Sequence, residues 1–214
     1  MLSVVDLTVS IHAVSILRGV TLEVPPGAMV GLIGRNGAGK TTLLRSIMGL
    51  LPIQGGRVHF DGLDLTTISA SKRARLGIGY LPEDRRLVPH LSTEENVLLP
   101  AWSVRMAAPA ERLQWIYSVL PEVAQFASRK ALQLSGGQQK LVALARALMC
   151  GTNLLLLDEP FEGVAPALAR RLAEVFGSLK GTRLSVLLSE SGLKHSMGLL
   201  DRVFVIERGA VEEK

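Results

Sequence analysis

The sequence lacks the material for several kinds of protein. It has one cysteine, Cys150, in 214 residues, which excludes a disulfide framework and any multi-cysteine zinc site. It has no long apolar run. The longest uncharged stretches, Ser46–Gly56 and Ala147–Leu157 among them, reach 11 residues, and both carry glycines and polar side chains. A spanning helix needs roughly 20 apolar residues, so no segment is expected to cross a bilayer. Residues Met1–Ser10 contain Asp6 but no Lys or Arg, which is not the pattern of a secretory signal. No internal repeat or low-complexity segment is present. These absences point to a soluble chain in a reducing, cytosolic setting.

What is present fits a single domain. The length suits one α/β domain with a small insert, large enough to bury its own core. Hydrophobic residues make up 48% of the chain and the mean hydropathy is +0.31. The net charge of +5 raises the question of a nucleic-acid partner. The basic pairs Lys72-Arg73, Arg85-Arg86, Arg129-Lys130 and Arg170-Arg171 are scattered along the chain, as solvated surface charges are.

Strands are expected at Leu2–Val9, Ile16–Val24, Ala28–Ile33, Gly56–Phe60 and Ile78–Leu81, and helices at Lys40–Leu50, Gly136–Met149 and Pro166–Leu179. Further strands read at Asn153–Leu157, Leu184–Leu188 and Arg202–Ile206. Strands alternating with helices imply a mostly parallel sheet. Between residues 83 and 133 the pattern turns helical, at Thr93–Leu99 and Pro109–Leu120, punctuated by prolines. The expected architecture is an α/β core over residues 1–82 and 134–214, an antiparallel N-terminal β piece, and a helical insert over 83–133.

Gly34-Arg35-Asn36-Gly37-Ala38-Gly39-Lys40-Thr41 fits Gly-x-x-x-x-Gly-Lys-Ser/Thr, the phosphate-binding loop. A strand runs into it and a helix runs out. Glycines let backbone N–H groups close on phosphate oxygens, and the helix N-terminus adds positive dipole there. Lys40 is placed to reach the β- and γ-phosphates, and the Thr41 hydroxyl to ligate Mg²⁺. Thr42 follows in the same turn. Leu154–Leu157 is an apolar strand ending in Asp158-Glu159. The carboxyl ends of parallel strands face the ligand crevice, so Asp158 is expected to hold Mg²⁺ through water and Glu159 to polarise the attacking water.

Leu134-Ser135-Gly136-Gly137-Gln138-Gln139 opens a helix with a Ser N-cap and two glycines, a second potential anion site. These three motifs, in this order, resemble the ATP-binding subunit of ABC transporters, over essentially the whole chain. That resemblance implies a P-loop nucleoside triphosphatase fold, ATP and Mg²⁺ as ligands, and two subunits paired head to tail. Ser135, Gly136, Gly137 and Gln138 of one subunit would close on the γ-phosphate held by Lys40 of the other. It also implies transmembrane permease subunits as partners, a peripheral place on the cytoplasmic membrane face, an extracytoplasmic solute-binding protein acting indirectly, and no nucleic acid. The +5 charge then has sufficient causes in triphosphate binding and an anionic membrane surface.

A narrower resemblance is to the ATPases of importers for branched-chain amino acids, amides and urea. It is carried by Gly77–Arg86, by Leu87–Asn96 and by Gly163-Val164-Ala165-Pro166, where most ABC ATPases have Asp at the position of Ala165. The resemblance also aligns three departures with functional positions. Glu83 stands at the usual glutamine that touches Mg²⁺ and water. Ser191 stands at the usual switch histidine, and Ile11 at the aromatic that stacks on adenine. His12, beside Ile11, either contributes to base packing or has no role. His195 is expected to be a surface or packing residue. Trp115 and Val119 read as a core stripe, Cys150 as a packed residue, and Arg85, Arg86 and Leu87 as lining a permease-facing groove. A P-loop kinase has no use for Leu134–Gln139. DNA-repair or translation ATPases of the family need more chain than this. A subunit that binds ATP but hydrolyses it poorly is the remaining alternative.

Overall fold

The computed structural model describes residues 1–214. The chain begins with a hairpin, β1 (Leu2–Ile11) and β2 (Val14–Val24). Its turn is only His12-Ala13, both left-handed at φ 47° and 65°, the geometry that suits the twist of a two-residue hairpin. His12 is thus an exposed turn residue. β4 (Gly55–Phe60) and β5 (Leu63–Asp64) complete an antiparallel sheet in the order β2-β1-β4-β5.

The second sheet contains β3 (Met29–Ile33), β6 (Ile78–Leu81), β7 (Leu154–Asp158), β8 (Ser185–Glu190), β9 (Arg202–Glu207) and β10 (Ala210–Glu213). Its order is β10-β9-β3-β8-β7-β6, parallel except for β10 at the edge. β7 shows why these residues make a central strand. All five are buried, and the leucines divide by parity. Leu155 and Leu157 join one core with the helices of residues 93–179. Leu154 and Leu156 join the other with the N-terminal strands and residues 43–47. A two-faced strand requires an unbroken apolar run, and each buried Leu contributes roughly 1.5–3 kcal/mol.

The helices are α1 (Lys40–Ile47), α2 (Ala70–Arg75), α3 (Thr93–Val104), α4 (Pro109–Val119), α5 (Pro121–Gln125), α6 (Gly136–Cys150) and α7 (Pro166–Leu179). α1 stops at Ile47, short of the expected Leu50. α3 runs past the expected Leu99 and through Pro100. A reciprocal cap between Ser92 and Glu95 secures its start, and Val97 and Ala101 anchor it in the core, offsetting the backbone bond that Pro100 removes. α2, α5, β5 and β10 are short elements without a clear period in the sequence. Cys150 packs at the end of α6, and burial pushes its thiol up to about 11, which leaves it inert. Trp115 is half-buried against the core with the Arg112 guanidinium 3.9 Å from its ring centroid.

Arg73, one half of a basic pair expected on the surface, is instead 2% exposed. Its guanidinium donates to the carbonyls of Ile68 at 2.7 Å, Leu65 at 2.5 Å, Ser46 at 2.9 Å and Ile47 at 2.7 Å. The last two lie at the end of α1, where the Ser46 carbonyl also accepts from the Gly49 N–H at 3.0 Å, so Arg73 caps the helix that leaves the phosphate loop. Burial holds its pKa below the usual arginine value. Arg73→Met should remove these donors and leave the Ile47 and Ile68 carbonyls unpaired, while Ser46 and Leu65 keep the N–H groups of Gly49 and Ile68. Stability should fall by about 2–4 kcal/mol, read from the midpoint of urea unfolding.

Candidate nucleotide-binding site

The loop between β3 and α1 turns as the glycines require. Gly39, at φ 116°, occupies a region that side-chain-bearing residues rarely adopt. At Gly34 a Cβ would lie 2.3 Å from the carbonyl oxygen of Ile206, so β9 admits no side chain there. α1 then begins at Lys40, which is 4% exposed. Its ammonium donates to the Gly34 carbonyl and, at 3.1 Å, to that of Arg35.

The carboxyl end of β7 lies opposite. Lys40 Nζ is 2.9 Å from Glu159 Oε1, with both side chains almost wholly buried. The Thr41 hydroxyl donates to Asp158 Oδ1 at 3.0 Å. Ser189 donates to the same oxygen at 3.0 Å, and the Tyr80 hydroxyl to Oδ2 at 3.1 Å. Glu159 is itself left-handed, at φ 47°. Ser191 Oγ is 2.9 Å from Asn36 Oδ1 and 3.0 Å from Glu159 Oε1, so it touches both the loop and the acidic turn.

An open depression of about 390 Å³ gathers Asn36, Gly37, Gly39, Lys40, Thr41, Thr42, Glu83 and Glu159, as expected from sequence, together with Ile16 and Glu162. Burial, then the nearby charges of Glu162, Asp158 and Glu159, raise the pKa of Glu83. Ile11 does not line the depression; its hydrophobic wall is Ile16. Gly34, Arg35, Ala38 and Ser191 instead line a second depression on the reverse of the loop. No group of three or more His, Cys, Asp or Glu is arranged for a metal. One hydroxyl and one carboxylate, Thr41 and Asp158, fit Mg²⁺, which is typically held by few protein oxygens plus substrate phosphates.

Ser135, Gly136, Gly137 and Gln138 are not in this depression. They form the exposed start of α6. Ser135 Oγ accepts from the Gln138 N–H at 3.3 Å, and Gln138 Oε1 accepts from the Ser135 N–H at 3.0 Å. The loop after Glu83 reaches toward them. Arg85 donates to Gln139 Oε1 at 3.2 Å, while Arg146 donates to the carbonyls of Arg85 and Arg86. Arg86 pairs with Asp84 at 2.8 Å, and Leu87 packs on the core. His195 stacks beside Phe161, with ring centroids 5.3 Å apart, as a packing residue.

Burial lifts the Asp158 carboxyl above its ordinary range, more than the donors Ser189, Thr41 and Tyr80 lower it. The folded chain therefore holds this proton more tightly than the unfolded chain. The ionised form costs stability above the raised pKa, and the cost vanishes below the ordinary aspartate range. Asp158→Asn should accordingly raise the melting temperature of the nucleotide-free protein at pH 7. The gain should shrink as the pH is lowered toward that range, as thermal melts across pH would show.

A family model described as "ABC transporter" matches residues 17–162. An uncharacterised ABC transporter ATP-binding protein of Rhizobium meliloti is 36% identical over 207 residues, covering 96% of this chain and 76% of that protein. A probable branched-chain amino acid transport ATP-binding protein LivF of Archaeoglobus fulgidus is 32% identical, covering 99% and 90%. The lipopolysaccharide export ATP-binding protein LptB of Escherichia coli K12 is also 32% identical, covering 91% and 81%. Among solved structures, an ABC transporter ATP-binding cassette in its ADP conformation superposes with a TM-score of 0.84 at 28% identity, covering 99% and 89%. A bacterial ABC transporter cassette reaches 0.89 at 24% identity, covering 100% and 98%, which speaks to the fold alone. The chain belongs to the ABC transporter ATP-binding family, and its activity is ATP hydrolysis coupled to transport.

Proposed function

We propose that this ATPase drives uptake of branched-chain amino acids or related small polar solutes such as amides and urea. The observation that carries the solute class is Ala165, in Gly163-Val164-Ala165-Pro166, together with relatives named for branched-chain amino acid transport over most of their length. A relative of equal identity named for lipopolysaccharide export makes export the competing reading. No helix is long and apolar enough to cross a membrane. The chain in this reading is one cassette, with residues 83–133 as a helical insert, seated on permease subunits at the cytoplasmic membrane face. A solute-binding protein acts upstream of it, and no nucleic acid is involved.

The roles follow from position. Lys40 and the amides of residues 34–42 bind the β- and γ-phosphates, with Lys40 exchanging Glu159 for a phosphate oxygen. Thr41 and Asp158 would hold Mg²⁺, with Glu83 beside them, and the ion would supply neutralisation of phosphate charge. Glu159, freed from Lys40, accepts hydrogen-bond donation from the attacking water and polarises it. Ser191 orients Glu159. Ile16 packs against the nucleotide from within the depression, while Ile11 is left to meet the base from outside it. Ser135, Gly136, Gly137 and Gln138 lie outside the depression, so the site is completed by a second subunit, identical or different.

Glu159→Gln should lower ATP turnover by about a hundredfold or more while ATP drives the variant into a stable dimer, read by phosphate release and light scattering. A parent-like rate would remove Glu159 from its role. Cells without this chain should lose uptake of labelled leucine, regained with the parent sequence and not with Glu159→Gln. Intact uptake of all such solutes would favour the export reading.

A further inference from the structure

Lys140 is a buried cation that the roles above leave unused. It lies in the first turns of α6 and is 2% exposed. Its ammonium makes one hydrogen bond, to the main-chain carbonyl of Glu159 at 3.0 Å. It is a member of none of the ion pairs. A buried ammonium with so few partners is costly, and a Met of similar volume would fill the same space more cheaply. Packing alone therefore does not account for it. Burial and nearby Arg85 oppose its charge, while Glu83, Asp158 and Glu162 favour it. It sits among the acidic groups of the nucleotide site.

Its contact falls on an unusual peptide. A left-handed glutamate costs on the order of 1–3 kcal/mol unless its surroundings hold it. Glu159, at φ 47°, is held on both sides. Its N–H donates to Ser189 Oγ at 3.1 Å, and its carbonyl accepts from Lys140 and from the Glu162 N–H at 3.1 Å. The partners of the Glu159 peptide, an acceptor from β8 and a donor from α6, are far apart in sequence.

We propose that Lys140 is a positioning residue, fixing the turn that aims the Glu159 carboxylate and tying that turn to the helix that begins at Ser135. The start of α6 serves a partner's nucleotide, while Glu159 serves its own. One hydrogen bond thus joins the element working at one site to the base working at the other. This inference rests on Glu159 being the group that polarises water.

The test compares Lys140→Met, Lys140→Arg and Glu159→Gln in the full chain. Steady-state ATPase assays give kcat and KM, and a fluorescent ATP analogue gives nucleotide affinity. Lys140→Met should lower kcat about tenfold to a hundredfold, with nucleotide affinity changed by less than about twofold. Lys140→Arg, which keeps the donor, should recover a large part of kcat. The proposal is overturned if Lys140→Met turns over like the parent, or if affinity falls as far as kcat, which marks a general structural loss. Should Glu159→Gln keep parent-like turnover, the role given to Glu159 fails instead, so the two failures are distinguishable.

Discussion

The buried ion pair between Lys40 and Glu159, at 2.9 Å, is the interaction on which the site's arrangement turns. Two opposite charges removed from water are tolerated because each satisfies the other. The pair joins the start of α1 to the carboxyl end of β7, two elements that the parallel sheet delivers to the same edge. It also sets the chemistry of binding. A triphosphate must offer Lys40 an oxygen at least as good as a carboxylate, and in doing so it sets Glu159 free. Under the proposed role of Glu159, substrate arrival and release of the base are then a single exchange.

Around that pair the polar groups are almost fully matched, which is what a dry sheet edge demands. Asp158 takes hydrogen bonds from Thr41, Tyr80 and Ser189, one each from α1, β6 and β8. The same carboxylate thus knits three elements and carries a burial cost that the nucleotide-free fold never recovers. That cost is met by the two leucine-rich cores on either face of the sheet.

Much of this was legible in the sequence where neighbours in the chain are neighbours in the site. The loop Gly34–Thr42 and the run Leu154–Glu159 carry their function in consecutive residues, so spacing alone places them. Tyr80, Ser189, Glu162 and Lys140 were not legible. Tyr80 meets Asp158 across 78 positions and Ser189 across 31, and nothing local in either residue marks it. Arg73 misled for the same reason, since a basic pair reads as surface until the fold brings four carbonyls to one of its members. Ile11 and Ile16 show a subtler limit. An alignment passes over the two-residue turn at His12-Ala13, whereas the turn decides which isoleucine faces the depression.

The Ser191 departure is best judged by proton count. A hydroxyl has one proton to give, and two acceptors stand within reach, Asn36 Oδ1 and Glu159 Oε1. Ser191 is therefore a donor shared between the two, and its one hydroxyl bridges the phosphate loop and the acidic turn. A longer histidine would reach past Glu159 toward a phosphate; the serine stops at the carboxylate, where the proposed function has it orient that group. The short side chain therefore shifts the polar contact from substrate to base rather than deleting it, and it does so on the same side chain that Lys40 holds before nucleotide arrives.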